Sequence, residues 1–251
     1  MKKLFVGAFA LCLGLTSFAQ DAVTFKLNPD IGKSQESTMV MKTDIDSPQP
    51  VIMDMHMNTT TLSSEIKDGN IIYETTINTV KMDMQSGMET VSYDSQGENT
   101  DETSKMIDSQ FRPLIGKKII STISPAGKQI DIELPEISGN TLSASSFTNQ
   151  FTEFPDHAIT LGESWVNSVE VEENPVFQKL EIENTYKEKS AEGYVIAFLG
   201  KMLNAQNEQT GTIEGHYVLD TRTFMPLSSQ AVSTIEFMET KITSTIETAI
   251  K

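Results

Sequence analysis

Leu161-Gly162-Glu163-Ser164-Trp165 opens the second of two similar halves of the chain, and Ile31-Gly32-Lys33-Ser34 is a fainter version near its start. Shorter matches follow each of them in the same order. They pair the segments 67–73 with 190–196, 87–94 with 211–218, and 113–123 with 226–235. Each half is much longer than one unit of a solenoid, so the pattern predicts a duplicated β-rich half-domain.

Polar and apolar residues alternate along much of the chain, and Thr, Ser, Ile, Val and Met are frequent. A period of two is typical of antiparallel strands with one buried face. Asp68-Gly69 is the strongest hairpin signal, because Asp-Gly suits the tight turns that connect such strands. The predicted strands are 33–45, 51–66, 71–84, 88–94, 117–124, 129–134, 163–172, 176–189, 193–203, 209–220, 227–238 and 241–250, about six in each half.

Several of these strands are longer than the usual five or six residues, which favours a strongly curved sheet over a compact sandwich. The predicted fold is therefore all-β with a minor α-helical part. It consists of long antiparallel strands in a curved sheet or an open or half barrel, duplicated, with one or two covering helices.

One segment of the first half has helical spacing instead. Thr100 or Asp101 can cap a helix over 102–114, and we expect this helix to pack on the first sheet. Its predicted inward stripe is Met106, Ile107, Gln110, Phe111 and Leu114. The later segment 135–158 lacks alternation, and its apolar residues from Leu142 to Phe154 predict a short helix that bridges the two halves.

The first 19 residues have the features of a secretory signal peptide. Lys2 and Lys3 precede an apolar run over 4–15, and Ser17-Phe18-Ala19 fits a cleavage site. The predicted units are thus a signal peptide over 1–19, a first β unit over 20–134, a bridging segment over 135–158 and a second β unit over 159–251. We expect an exported protein, periplasmic or extracellular, with no transmembrane segment, because no apolar run is long enough to span a bilayer.

Charge and cysteine content exclude several classes of function. The chain carries 19 basic and 35 acidic residues, a net charge of −16, which repels nucleic acids and anionic membrane surfaces. Its one cysteine, Cys12, lies within the predicted signal peptide, so thiol catalysis and cysteine-based zinc sites are excluded from the exported chain.

Methionines recur at every second position in three predicted strands. The pairs and triplet are Met39 and Met41, Met53, Met55 and Met57, and Met82 and Met84. On a strand this spacing places each set on one face, and hairpin pairing would bring the sets side by side. Methionine is flexible and suits the lining of an adaptable apolar pocket. The predicted pocket-lining residues are Met53, Met55, Met57, Met82, Met84, Met106 and Phe111.

A copper site is the alternative interpretation of the same strands, since thioethers are soft ligands that select Cu(I). Its ligands would be Met53, Met55 and Met57. His56 lies between two of them, but in a regular strand it points to the opposite face. The leading interpretation assigns no metal and no cofactor.

The recognised catalytic motifs are missing from the sequence. Gly162-Glu163-Ser164-Trp165 is followed by Val166, so it is not a nucleophile elbow, and neither a His-Glu-x-x-His motif nor a phosphate-binding glycine loop occurs. The chain is therefore predicted not to be an enzyme. Trp165, the one tryptophan, is interpreted as a core anchor of the second half.

The leader ending Ser17-Phe18-Ala19-Gln20, the opening Leu161-Gly162-Glu163-Ser164-Trp165 and the Thr- and Ser-rich strands after it resemble a family of exported Gram-negative envelope proteins of unknown function. That resemblance transfers no catalytic or binding residues. The predicted architecture is also similar to the periplasmic lipoprotein-carrier half-barrels, which hold an acyl chain between a curved sheet and a covering helix.

The predicted function is a non-catalytic envelope protein that binds an apolar or amphipathic, lipid-like ligand in a concave sheet. Two alternatives stand beside it. One is a methionine-rich periplasmic copper-binding protein, and the other is a structural or adhesive β module with no ligand pocket. The sequence identifies neither the ligand nor a protein partner.

Overall fold

The computed structural model describes residues 22–135, 153–171, 174 and 176–251. The predicted signal peptide and most of the predicted bridge, residues 136–152, lie outside this range. The described part of the first half contains β1 (Ser34–Asp46), β2 (Val51–Lys67), β3 (Asn70–Ser86), β4 (Glu89–Asp94), α1 (Glu102–Phe111), β5 (Lys118–Ile123) and β6 (Gln129–Glu133). The second half contains β7 (Ser164–Glu170), β8 (Lys179–Lys189), β9 (Tyr194–Leu203), β10 (Gln209–Leu219), β11 (Pro226–Phe237) and β12 (Thr240–Ile250).

All twelve strands belong to one antiparallel sheet with the order β6-β5-β3-β2-β1-β12-β11-β10-β9-β8-β7. β5 pairs with the first part of β3, and β4 pairs with its last part. From the β6 edge the strand numbers descend through the first half and then through the second, so both halves follow the same order. The all-β prediction is confirmed. β1 and β12 join the halves into one continuous sheet that does not close into a barrel.

The two glycine turns that open the halves have the same geometry. Gly32 has φ of 81° and Gly162 has φ of 84°. The Gly32 N–H donates to the Ser63 carbonyl at 2.7 Å, and the Gly162 N–H donates to the Tyr186 carbonyl at 2.7 Å. Each acceptor lies on the second strand of its own half. This agreement supports the internal correspondence, while the predicted unit boundaries at 20–134 and 159–251 stay predictions.

The helix is shorter than its predicted range of 102–114. Asp101 caps it, with its carboxylate accepting from the Ser104 N–H at 2.8 Å. It ends at Phe111, because Pro113 has no N–H to continue the backbone pattern and the chain passes into turns. Leu114 is nevertheless buried against the sheet.

The sheet curls so that distant strands meet. β3 and β11 are separated by four strand spacings, about 19 Å in a flat sheet. Yet the Tyr73 hydroxyl of β3 donates to the sulfur of Met225, just before β11, at 3.1 Å. One face of the sheet is therefore concave, and we call it the inner face.

The segment 22–28 lies between the curled walls and ties one end of them together. The Leu27 N–H donates to the Pro125 carbonyl in the β5–β6 turn, and the Asn28 N–H donates to the Thr223 carbonyl before β11, both at 2.8 Å. Phe25 packs within 5.6–6.1 Å of five rings, and we name this group the aromatic cluster. Its rings are Phe25, Phe154, Trp165, Tyr186, Tyr194 and Phe224. We call this the closed end, and the opposite end, with the β1–β2, β3–β4 and β11–β12 turns, the open end.

An exposed ion pair reinforces the closed end. The two terminal guanidinium nitrogens of Arg222, Nη1 and Nη2, donate to the carboxylate of Asp30, at 2.7 and 2.6 Å. The hydrogen bonds from Arg222 lower the pKa of Asp30 to about 2. Because this folded-state pKa lies below the ordinary 3.8, the pair stabilises the fold above that pH and loses its effect as the pH falls toward 2.

The equivalence of the two glycine turns is testable by substitution. Gly32→Ala and Gly162→Ala should each lower the free energy of unfolding by about 1–2 kcal/mol, because a Cβ disfavours left-handed backbone. The space that a Cβ would take at either position has no atom within 4 Å beyond the flanking residues, so steric overlap adds nothing. Asn at the same positions, which tolerates this conformation, should cost less. Urea denaturation measures the changes, and two Ala variants that differ by more than about 1 kcal/mol would contradict the equivalence.

Candidate ligand-binding site

The pairing register carries a continuous row of side chains across the inner face. Antiparallel partners face the same side of a sheet, so the row can be followed from strand to strand. From β4 to β7 it consists of Tyr93, Met82, Met55, Met41, Ile246, Ala231, Gly215, Phe198, Asn184 and Trp165. We call it the central inner row.

The two neighbouring inner rows have the same character. Toward the open end the row is Val91, Met84, Met53, Thr43, Ser244, Ser233, Ile213, Gly200, Ile182 and Asn167. Toward the closed end it is Val80, Met57, Met39, Thr248, Ser229, Tyr217, Ile196 and Tyr186.

These three rows hold no Asp, Glu, Lys, Arg or His, although the whole chain carries 35 acidic residues. The adjoining outer row is different and includes Asp94, Lys81, His56, Glu247 and His216. The ten strands that the central inner row crosses therefore leave a broad uncharged surface along these three rows.

Methionines form the inner face of β1, β2 and β3, and we call this surface the methionine floor. Met55 pairs with Met41 on one side and with Met82 on the other, while Met53 pairs with Met84 and Met57 with Met39. The structure thus brings five of the predicted pocket residues together. Met55 and Met82 are buried, whereas the others are half-buried and keep apolar surface in contact with water.

The helix α1 packs on the inner face, over the part of the methionine floor that lies next to β4. Ile107, Phe111 and Leu114 pack against the cluster that contains Met55 and Met82. The Phe111 ring lies 6.2 Å from the ring of Tyr93. Burial, assisted by the nearby carboxylate of Asp108, raises the pKa of Tyr93 to about 12.

Met106 does not lie where the sequence pattern places it. It is 59 % exposed, because the inward side of the helix runs through Ser104, Ile107 and Phe111. Ser104 is fully buried, and its small side chain lets the helix approach the sheet closely. The structure therefore separates Met106 from the other predicted pocket residues.

Between the methionine floor and the aromatic cluster, the side chains of the inner face are short and leave a depression. Gly215 cannot carry a side chain, since a Cβ would lie 2.0 Å from the Gln230 carbonyl oxygen and 2.8 Å from the Phe198 ring. Around it the side chains are short, and the Thr43 and Ser244 hydroxyls hydrogen-bond at 2.9 Å. The short residues of this central trough are Thr43, Ser229, Ala231, Ser233, Ser244 and Thr248. Sequence reasoning missed them, because alternation alone did not indicate that β1 pairs with β12.

Beyond the trough, the wall formed by β7 to β9 combines aromatic rings with a buried amide. Asn184 donates from Nδ2 to Asn167 Oδ1 at 2.7 Å. Trp165 donates from Nε1 to the Glu153 carbonyl at 2.9 Å, as does Asn167 from Nδ2. Trp165 is buried in the aromatic cluster, which agrees with its interpretation as a core anchor.

The three ligands of the copper alternative, Met53, Met55 and Met57, all lie on this face. The methionine side chains of β1 to β3 are adjacent, but His56 pairs with Val40 and Lys81 on the outer face and is exposed. Within the described residues, no group of three or more His, Cys, Asp or Glu side chains could hold a metal ion. Copper binding by the thioethers alone stays a prediction.

Two shallow depressions are lined mainly by residues outside the three inner rows, although Ser229 and Thr248 of the closed-end row border the first. One, of about 330 Å³, is on the outer face of the central strands, where Val40, His216, Gln230 and Glu247 line it. The other, of about 360 Å³, lies between the β1–β2 and β11–β12 turns. Both are open, and most of the residues that line them are of polar types, so neither is the apolar site that the sequence predicts.

The chain has structural neighbours among known proteins but no sequence match. No protein-family model matches the chain, and no curated protein matches it in sequence. A lipovitellin structure described for its lipid–protein interactions superposes with a TM-score of 0.51 at 9 % identity, over 88 % of this chain and 25 % of that one. This chain therefore spans about a quarter of the lipovitellin chain, and the likeness concerns the fold.

Two further neighbours are of the lipoprotein-sorting kind that the predicted architecture resembles. A LolA superfamily protein from Nitrosomonas europaea gives a TM-score of 0.28 at 8 % identity, with 88 % of this chain and 86 % of that chain covered. A lipoprotein-sorting domain from Vibrio parahaemolyticus gives 0.30 at 8 % identity, with coverages of 86 % and 85 %. The weak resemblance is thus found, at scores too low to establish a shared fold.

The described residues include no helix that is both long enough and apolar enough to cross a membrane.

The contrast between Met55 and Met106 gives a direct test of the floor. Met55→Ala should lower the free energy of unfolding by about 2–5 kcal/mol, because it leaves a cavity beneath α1. Met106→Ala, on the exposed side of the same helix, should change it by less than about 0.5 kcal/mol. Thermal and urea unfolding measure the free energy of unfolding of both variants. Equal losses of this free energy in the two variants would show that the helix packs through a different side.

Proposed function

We propose that this protein is a non-catalytic, exported binding protein for an apolar or amphipathic, lipid-like ligand that lies along the inner face. The single observation that carries the proposal is the concave, uncharged surface of three adjacent rows in a strongly acidic chain. Much of that surface is apolar yet only half-buried, and soluble monomers rarely leave contiguous apolar patches of this kind without a use.

Binding of an acyl chain on this surface has a sufficient driving force. Each CH₂ group removed from water contributes about 0.8 kcal/mol, so a chain of about ten such groups gains several kcal/mol after the cost of association. The methionine floor suits such a ligand, because thioether side chains adapt to irregular apolar shapes.

The central trough favours an amphipathic ligand over a pure hydrocarbon. Ser and Thr hydroxyls lie between the methionine floor and the aromatic cluster, and they can hydrogen-bond an uncharged ester, amide or hydroxyl group. A charged headgroup would find no countercharge in the three inner rows, and burying it unpaired would be costly. We therefore place any charged part of the ligand beyond these rows.

The structural neighbours support this proposal without deciding it. The lipovitellin structure is described for lipid–protein interactions, and we extend lipid binding from that protein to this chain as part of the proposal. Export rests on the predicted leader over 1–19. The absence of catalysis rests on the missing sequence motifs and on the uncharged character of the inner rows, which offer no general acid or base of the usual kinds.

Neighbouring positions on β11 test the proposal. Ala231 lies on the inner face, and Val232 lies on the outer face, exposed. Ala231→Arg should weaken binding of a fluorescent fatty acid at least tenfold, because it places a bulky unpaired charge on the uncharged surface. Val232→Arg should leave affinity within twofold. Fluorescence titration measures both variants, and circular dichroism verifies that each retains its strand content.

A β module without a ligand site would behave differently. In that case the unaltered protein would bind no fluorescent fatty acid, and native mass spectrometry would find no lipid bound after purification. Equal weakening by the two arginine variants would likewise place the ligand away from the inner face.

A further inference from the structure

The open end of the sheet presents two exposed methionines at the tips of hairpins. Met88 follows Gly87 in the two-residue turn between β3 and β4 and is fully exposed. Met238 precedes Glu239 in the two-residue turn between β11 and β12 and is 90 % exposed. Neither side chain contributes to a buried cluster of the described residues.

Met238 is also an unusual residue for its backbone conformation. It has φ of 54°, in the left-handed region where Asn, Asp and Gly are preferred in two-residue hairpin turns. The corresponding turn at the closed end follows that preference, with Asp68 and Gly69 at positive φ. At the open end, the chain instead holds a fully solvated apolar side chain in a strained position. A residue that is unfavourable on both counts points to a contact outside the chain.

The two methionines lie on different hairpins at the open end of the sheet. Four strand spacings lie between the β3–β4 and β11–β12 turns, about 19 Å along the sheet. The β1–β2 turn lies between them, and Pro48 borders the same shallow depression as Met238. Two apolar side chains on separate projecting turns, and not in a groove, fit an extended flat surface better than a single peptide or a small molecule.

An apolar path leads from these tips to the proposed ligand site. The next inner-face row toward the open end contains Val51, Ile45, Ile242 and Ile235, which are paired in that order across β2, β1, β12 and β11. Beyond Val51 the row continues to Ser86 of β3 and Glu89 of β4, so its aliphatic part is confined to the four central strands. The next row contains Met53 and Thr43, so this aliphatic row is continuous with the methionine floor and the trough.

We propose that the open end docks on the surface of an electrically neutral lipid bilayer, with Met88 and Met238 inserted among the headgroups. This inference rests on the proposed function, because it supplies the surface from which a lipid-like ligand would enter or leave the inner face. Carboxylates outnumber cations around the tips, with Asp46, Glu236 and Glu239 against Lys241 near Met238, and Glu89 beside Met88. Anionic lipids would repel them, so the charge pattern selects uncharged or zwitterionic headgroups.

The test uses phosphatidylcholine vesicles and the double variant Met88→Asp/Met238→Asp. Asp tolerates the left-handed conformation of position 238, and position 88 is a fully exposed turn residue, so the variant should fold at least as well as the unaltered protein. Its partition onto the vesicles, measured by co-sedimentation, should fall at least tenfold. Met106→Asp, which changes an exposed methionine away from this end, should stay within twofold. Replacing a fifth of the lipid by phosphatidylglycerol should weaken binding of the unaltered protein, and added salt should restore it.

The inference is overturned if the unaltered protein does not bind these vesicles, if Met106→Asp weakens binding as much as the double variant, or if binding requires anionic lipid. Fatty-acid titration without vesicles separates this result from the proposed function. Retained fatty-acid binding with no vesicle binding would remove the docking inference alone. Tip-dependent vesicle binding with no fatty-acid binding would support docking and remove the proposed ligand site.

Discussion

The packing of Phe25 among the aromatic rings of the closed end is the contact on which the shape of this molecule depends. A single open sheet of twelve strands has no closure bond to keep it curved. Here the segment 22–28 fills the space between β3 and the strands of the second half, and the Tyr73–Met225 contact fixes their approach. Aromatic contacts at these distances add stabilisation beyond area burial. If this end came apart, the inner face would flatten, and its apolar rows would lose their concave form.

Pairing register then decides what the concave face can bind. Side chains alternate strictly along a strand, so a slip of one residue in β2 would bring Asp54 and His56 to the inside, and a slip in β12 would bring Glu247 there. The bulge of β3 at Asn78 preserves the alternation, since Val80 and Ile77 both remain buried on its two sides. The absence of charged residues from the three inner rows therefore depends on the register of both halves, and the methionine floor and the trough are regions within these rows.

Much of the fold could be predicted from the sequence, because each strand carries its own alternation and each tight turn its own chemistry. The strand bounds and the shared face of Met53, Met55, Met57, Met82 and Met84 follow from local pattern alone. Alternation assigns a face but not a neighbour, so the β1–β12 pairing and the small residues of the trough were beyond it. The helix stripe was misjudged at Met106 and Gln110, which are both exposed, because the packed side of the helix runs through the small, buried Ser104. The exposed turn at Met238 contradicts local preference, so sequence reasoning could not identify its left-handed geometry.

The most direct test of the account is photochemical labelling with a fatty acid that carries a diazirine near its chain end, followed by peptide mapping with mass spectrometry. The account predicts adducts on inner-face residues of β1, β2, β11 and β12, among them Met39, Met41, Met57 and Ala231. Adducts confined to outer-face residues such as Val40 and Val232, or labelling that unlabelled fatty acid does not reduce, would contradict it.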